Sequence, residues 1–316
     1  MRVSSSPDYV IPLPPRHSFP MTKFSILRDL LIQHAIVHPN DIIEPEQAPW
    51  NDLGLVHTSE YLRALETGTM AEQAVRRMGF PWSHALVRRS RLAVQGTINA
   101  CRFALEDGIG GNLAGGTHHA MPDHAQGFCV LNDVAIAVKL LIRSGEISRA
   151  LIIDLDVHQG NGTAACLADT PSAFTFSMHN AKNFPRLKEQ STRDVPLEDN
   201  LNDDRYLSIL ESELTHLYDR AWKHCRGNPD LVIYLAGVDV LAGDKFGRLA
   251  LTPQGLAQRD RMTIRSAHSR GLPTALLLSG GYSPTPGDTA RNHMTLYAEA
   301  AALESPSQTR PQETRA

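Results

Sequence analysis

Cysteine is scarce in this chain. Its four residues, Cys101, Cys129, Cys166 and Cys225, form no C-x-x-C pair and show no dense spacing. That excludes a disulfide framework and implies reduced thiols in a reducing compartment. Long apolar runs are missing as well: none approaches the roughly 20 residues needed to cross a bilayer. The opening Met1-Arg-Val-Ser-Ser-Ser-Pro lacks the apolar segment of a signal peptide. A cytoplasmic location without a membrane span is therefore expected. Excess charge of one sign is also absent. A formal net charge of -3 leaves no electrostatic case for nucleic acid or an anionic membrane as partner. Arg88-Arg89 with Arg91 is too short a cluster to be more than a solvated helix face. There is no G-x-G-x-x-G or Walker spacing, so nucleotide binding has no support. No repeat or shift in composition marks an internal boundary, and oligomeric state leaves no signature.

What is present is a chain of 316 residues, long enough to bury a large core. Apolar runs without alternation are predicted strands at 150–156, Ala173–Met178, Leu231–Ala236 and from Pro273 onward, with shorter ones at Tyr9–Leu13, after Leu55 and at Asn112. Helical periodicity is predicted over Lys23–His34, from Thr58 or Ser59 as N-cap, and over Ala85–Asp107, Val134–Ser144, Tyr206–Cys225, Pro253–Ser269 and Ala290–Leu303. A long loop is expected from Met178 to about Asp204. Strands that are continuously apolar and alternate with helices argue for a single α/β domain with a mostly parallel central sheet covered on both faces. The domain is expected to span 1–303, followed by a polar, disordered tail, 304–316.

Ala150-Leu-Ile-Ile-Asp-Leu-Asp-Val-His-Gln-Gly-Asn-Gly162 organises the rest. An apolar strand runs into Asp154, Asp156 and His158 and then a glycine-rich loop. Period-2 geometry places Asp156 and His158 on one side for as long as the chain stays extended. A carboxylate and an imidazole side by side are two-thirds of an open catalytic zinc site. Asp239, after the strand Leu231–Ala236, is the natural third ligand, although alone it would read as a helix cap. Asp154, deeper in the strand, must be paired or bind a cation, or serve as a structural acceptor. His118-His119 follow Gly115-Gly116, where a turn lets both serve one site as acid and base. Tyr282 follows Ser279-Gly280-Gly281 and either packs as an aromatic or donates to an oxyanion. These groups all follow strands, at the edge where open α/β sheets bind ligands.

Taken together, Gly115-Gly-Thr-His-His-Ala, Gly127-Phe-Cys-Val-Leu-Asn-Asp133, Asp154-Leu-Asp-Val-His-Gln-Gly-Asn-Gly162, Gly237-Val-Asp-Val-Leu-Ala-Gly-Asp244 and Ser279-Gly-Gly-Tyr282 resemble the zinc-dependent histone deacetylases. These share an arginase-like α/β fold with the acetylpolyamine amidohydrolases, which implies a sheet of about eight strands. The resemblance covers roughly residues 17–300. Gln159, Asn161, Phe176-Ser-Met-His-Asn and Gly79-Phe-Pro-Trp look like the class IV group and its bacterial relatives.

The resemblance implies one catalytic Zn²⁺ on Asp156, His158 and Asp239. It implies tandem catalytic histidines, His118 and His119, with Asp154 and Asn161 as their respective partners, and Tyr282 as the oxyanion donor. It also implies a structural K⁺ held by Asp154, Asp156, His158, Ser177 and Met178, and a tunnel for acyl-lysine lined by Gly127, Phe128, Phe184 and Phe246. The chain departs from class I in Gln159, in Asn161, which carries no charge, and in lacking a counterpart of the loop aspartate that grips the substrate backbone. The implied activity is removal of acetyl or longer fatty acyl groups from lysine. The alternatives are an amidohydrolase of small acylamines, for which Glu198, Asp199, Asp203 and Asp204 could form an acidic rim, and a non-catalytic metal-binding protein.

Overall fold

In a computed structural model, which describes residues 1–304, the apolar runs form one eight-stranded sheet. Its strands are β1 (Arg2–Ser4), β2 (Ile42–Ile43), β3 (Ile109–Asn112), β4 (Ala150–Asp154), β5 (Ala173–Asn180), β6 (Arg193–Leu197), β7 (Leu231–Leu235) and β8 (Thr274–Leu277). The α-helices are α1 (Lys23–Gln33), α2 (Trp50–Leu53), α3 (Ser59–Thr67), α4 (Glu72–Met78), α5 (His84–Asp107), α6 (Asp133–Arg143), α7 (Asn161–Leu167), α8 (Asp203–Cys225), α9 (Pro253–His268) and α10 (Pro286–Glu304). The strand order is β2-β1-β3-β8-β7-β4-β5-β6, and every neighbouring pair is parallel. The expected sheet is thus parallel throughout.

Every residue of β4, β5, β7 and β8 is buried. Successive side chains point to opposite faces, so both faces must be covered, as parallel strands without alternation require. Helix α5 packs along β1, β3, β8 and β7 and touches α6, which touches α7. A second layer runs α1–α10–α9–α8, resting on β8 through α9 and on β5 through α8. Cutting a buried Leu or Ile of β4 or β7 to Ala would cost about 2–5 kcal/mol.

Several local expectations change. Tyr9–Leu13 is not a strand. A 3₁₀ turn occupies Pro7–Tyr9, and the first strand lies earlier, at Arg2–Ser4. Pro12, Pro14 and Pro15 lack the N–H a ladder needs. Leu55-Val56 forms turns instead of a strand, but Thr58 does cap the next helix, its Oγ1 accepting from Tyr61 N at 3.3 Å. The long loop before Asp204 contains β6. That strand carries Pro196, which is tolerated because β6 is an edge. Of the expected tail 304–316, Glu304 closes α10 and residues 305–316 lie outside the described residues. Among the described residues, no helix is long and apolar enough to cross a membrane.

The four adjacent strands β3, β8, β7 and β4 run the same way, so their carboxyl ends share one edge. The segments leaving them carry His118-His119, Tyr282, Asp239, and Asp156 with His158, at the place where such sheets bind ligands.

Candidate active site and metal centre

Strand β4 stops at Asp154, so strand alternation is not what brings Asp156 and His158 together. Side-chain turns do that work. Asp154 Oδ1 accepts from Asp156 N at 3.1 Å, and Asp156 Oδ1 accepts from His158 N at 2.9 Å. Each carboxylate thereby satisfies a backbone donor two residues on. His158 Nδ1 then lies 3.0 Å from Asp156 Oδ1 and 3.3 Å from Asp239 Oδ2.

The carboxylates are held on their other sides. Asp156 Oδ2 accepts from Ser279 Oγ at 2.8 Å and Gly280 N at 2.7 Å, and Asp239 Oδ1 accepts from Val157 N at 3.0 Å. Asp239 Oδ2 is buried with no donor. The packing leaves no room for a side chain at Gly280, where a Cβ would stand 2.0 Å from that oxygen. Asp156, His158 and Asp239 therefore offer three donor atoms within 4.8 Å of one another, all on buried residues.

The tandem histidines are reached through left-handed backbone at Gly115 (φ 78°) and Gly116 (φ 73°). His118 Nδ1 lies 2.7 Å from Asp154 Oδ2, and His119 Nδ1 lies 2.7 Å from Asn161 Oδ1. Both rings face the site, with centroids 4.1 Å apart. Asp133 anchors this loop by accepting from Gly116 N, Thr117 N, Thr117 Oγ1 and Thr97 Oγ1.

A cavity of about 470 Å³ opens above these groups, lined by Phe128, Phe184, Phe246 and Tyr282 and reaching His119 and His158. Gly127 also lines it, so all four expected tunnel residues converge. The Phe184 ring meets His119 edge-on at 4.7 Å, and Phe246 meets Tyr282 at 4.8 Å. The expected potassium ligands are also neighbours: Asp154 pairs in register with Ser177, which precedes Met178 on β5.

Electrostatics separate the two histidines. Burial opposes protonation of His118, but Asp154 and Asp156 outweigh it and push its pKa up to about 9. His119 is held well below the ordinary histidine value by burial, then by His118 and His158. His158 rises to about 10: burial works against the charge, and the hydrogen-bonded carboxylate of Asp156 together with the nearby carboxylate of Asp239 overcomes it. Asp239 rises to about 6 through burial and its neighbour Asp156. Two buried carboxylates facing one imidazole thus call for positive charge. The Tyr282 phenol is raised well above its usual value by burial and by Asp239 and Asp156, so it keeps its proton at neutral pH.

Lys23 escaped the sequence reading, and Arg89, expected on a solvated helix face, is buried instead. Lys23 Nζ donates to Ser279 O at 3.3 Å, and burial lowers its pKa to about 8 against the pull of Asp239 and Asp156. Arg89 Nε donates to Tyr9 O at 2.9 Å. Both border a smaller cavity of about 40 Å³ that shares His119, His158 and Tyr282 with the first. The helical spacing of these residues resembles that of any surface Lys or Arg, so nothing in the sequence marks them as buried.

None of the four carboxylates expected to form an acidic rim, Glu198, Asp199, Asp203 and Asp204, lines the cavity. Asp199 pairs with Arg248 at 3.2 Å and accepts from Asn180 Nδ2 at 2.9 Å. Asp203 accepts from Thr252 at the start of α9. The charged residues that line the mouth are instead Lys245 and Arg248.

Comparison with known proteins agrees with this arrangement. The histone deacetylase domain profile matches residues 17–298. An uncharacterized protein of Picosynechococcus sp. is 44% identical over 93% of this chain and 96% of its own length. Histone deacetylase 2 of Arabidopsis thaliana is 32% identical over 84% of this chain and 70% of its own. Histone deacetylase 8 of Xenopus tropicalis is 27% identical over 82% and 73%, respectively.

Proposed function

The chain belongs to the histone deacetylase family and is a deacetylase-type hydrolase, and on that premise we propose that it is a zinc-dependent enzyme that removes short acyl groups, acetyl foremost, from lysine side chains of proteins. The observation that carries this reading is the convergence of Asp156, His158 and Asp239 at the floor of an aromatic tunnel that also exposes His119 and Tyr282. The donor set fits the ion: two carboxylates and an imidazole, with an orphaned buried oxygen on Asp239, suit a divalent cation with open positions. When bound, zinc supplies Lewis acidity to the amide carbonyl and makes a water more acidic. A potassium ion at Asp154, Asp156, His158, Ser177 and Met178 is part of the same proposal.

The protein's own groups do the rest. Asn161 Oδ1 accepts from His119 Nδ1, which leaves Nε2 as the acceptor. His119 takes a proton from the attacking water and returns it to the departing lysine amine. His118, kept cationic by Asp154, stabilises the negative charge that develops. Tyr282 donates to the oxyanion, a contribution of up to roughly 3–4 kcal/mol for one well-placed donor. The phenylalanines exclude water from the lysine stem.

The smaller cavity beside Asp156 and His158, also bordered by Lys23 and Arg89, offers only about 40 Å³. That is space for a few water-sized groups, which favours acetyl over long fatty acyl chains. A mouth carrying Lys245, unpaired among the described residues, disfavours polycationic acylpolyamines. Gln159 and Asn161 support a class IV-like, bacterial-type placement, and four free cysteines support a reducing compartment such as the cytoplasm.

The test is a screen of zinc-loaded protein on acyl-lysine peptides from acetyl to myristoyl and on acetylpolyamines. Acetyl-lysine peptides should turn over fastest. No hydrolysis of any peptide, with one zinc per chain, would sink the reading.

A further inference from the structure

The tunnel mouth adjoins a second cleft of about 890 Å³, walled by the proline-spaced segment from Val10 to Thr22 and by the turn from Ser283 to Pro286. Lys245 and Tyr282 line both cavities. The charged side chains lining the pair are Arg16, Lys245 and Arg248, and neither lining contains a carboxylate. Asp199 neutralises Arg248. Arg16 and Lys245 are exposed, and among the described residues neither has an ion-pair partner. Lys245 is also fixed relative to the site. Its N–H bonds Tyr282 O at 3.2 Å, and its ammonium stands 5.3 Å from the centre of the Phe246 ring.

A tunnel of this kind admits one side chain, so the backbone that carries it must lie across the mouth. The adjoining cleft continues that path. Its proline walls offer few N–H groups, and two unpaired cations stand along it. We infer that the mouth and cleft receive an extended substrate segment bearing aspartate or glutamate close to the acylated lysine. This rests on the deacylase reading and specifies its substrate class. Exposed charges of this sort act on encounter and binding, fade with salt and leave the chemical step alone.

The experiment compares matched acetyl-lysine peptides whose flanking residues are acidic, neutral or basic, at low and high ionic strength, on wild type, Lys245→Glu and Arg16→Glu. Acidic flanks should lower KM by about three- to tenfold relative to basic ones, the range expected for one or two exposed pairs. The difference should shrink in high salt, and Lys245→Glu, which leaves one cation against one carboxylate, should abolish it. Equal KM across the sets, a preference for basic flanks, or an acidic preference that survives in both variants overturns the inference while leaving the deacylase reading intact. Failure to hydrolyse every peptide is a different result and overturns that reading instead.

Discussion

Asp244 Oδ2 accepts the backbone N–H of Tyr282 at 2.7 Å, while Asp244 Oδ1 accepts from Phe246 N at 2.9 Å and Gly247 N at 3.0 Å. One carboxylate therefore positions the oxyanion donor and an aromatic wall of the tunnel together. Asp244→Asn would set an NH₂ group against one of these N–H donors. The expected result is a tenfold or greater fall in kcat together with a raised KM, since a donor misplaced by about 1 Å can cost 10²-fold. Tyr282→Phe separates the two effects. It should lower kcat about a hundredfold or more with KM nearly unchanged, and zinc content by elemental analysis should stay at one per chain.

Metal removal should be visible without any assay of turnover. Two buried carboxylates face each other across His158, and binding a cation to the folded state alone raises stability, by about 4 kcal/mol at a thousandfold excess over Kd. Zinc added to chelator-treated protein is expected to raise the melting temperature and restore hydrolysis. Asp239→Asn should bind well below one zinc per chain and show no such rise.

The uncharged partner of His119 can be made charged. Asn161→Asp would place a carboxylate where Oδ1 now sits, 2.7 Å from Nδ1. An adjacent negative charge favours the imidazolium. The acid limb of kcat/KM, which reports His119 losing its proton, should then move to higher pH by about one unit. A limb that does not move would mean that His119 is not the base.

His57 sets part of the acid sensitivity of the fold. It is buried, with Nδ1 3.0 Å from Met121 O and Nε2 accepting from Asn132 N at 2.9 Å. Burial lowers its pKa from 6.5 to about 4, against a smaller upward pull from the Pro122 and Met121 backbone. The unfolded chain protonates near 6.5 while the folded chain does not, so stability is full above that pH. It falls as the pH drops towards 4 and levels off below. The contribution is at most about 3 kcal/mol. Denaturant titrations at several pH values should show a shallower fall between pH 6.5 and 4 in His57→Gln than in wild type.

The sequence by itself determined the parallel α/β architecture. It also determined which residues could do chemistry, because apolar strands without alternation must be covered on both faces and polar residues after them must gather at one edge. Asp156, His158, His118, His119 and Tyr282 were legible for that reason, and Phe128, Phe184 and Phe246 through the resemblance of their motifs. Tertiary structure alone decided the rest. Asp239 could be read as the third ligand only because Asp156 and His158 need a partner, and it is folding that brings its Oδ2 to 3.3 Å from His158 Nδ1. Lys23 and Arg89 have ordinary helical spacing, and only packing takes them out of water. The strand at Arg193–Leu197 has too little apolar pattern to be read, since an edge is specified by its neighbour's hydrogen bonds. The carboxylates expected to form an acidic rim do not line the cavity, and Asp199 is paired with Arg248, a residue distant in sequence. Pattern records which side chains avoid water, whereas the pairing of charges is a property of distance, and distance is set only once the chain has folded.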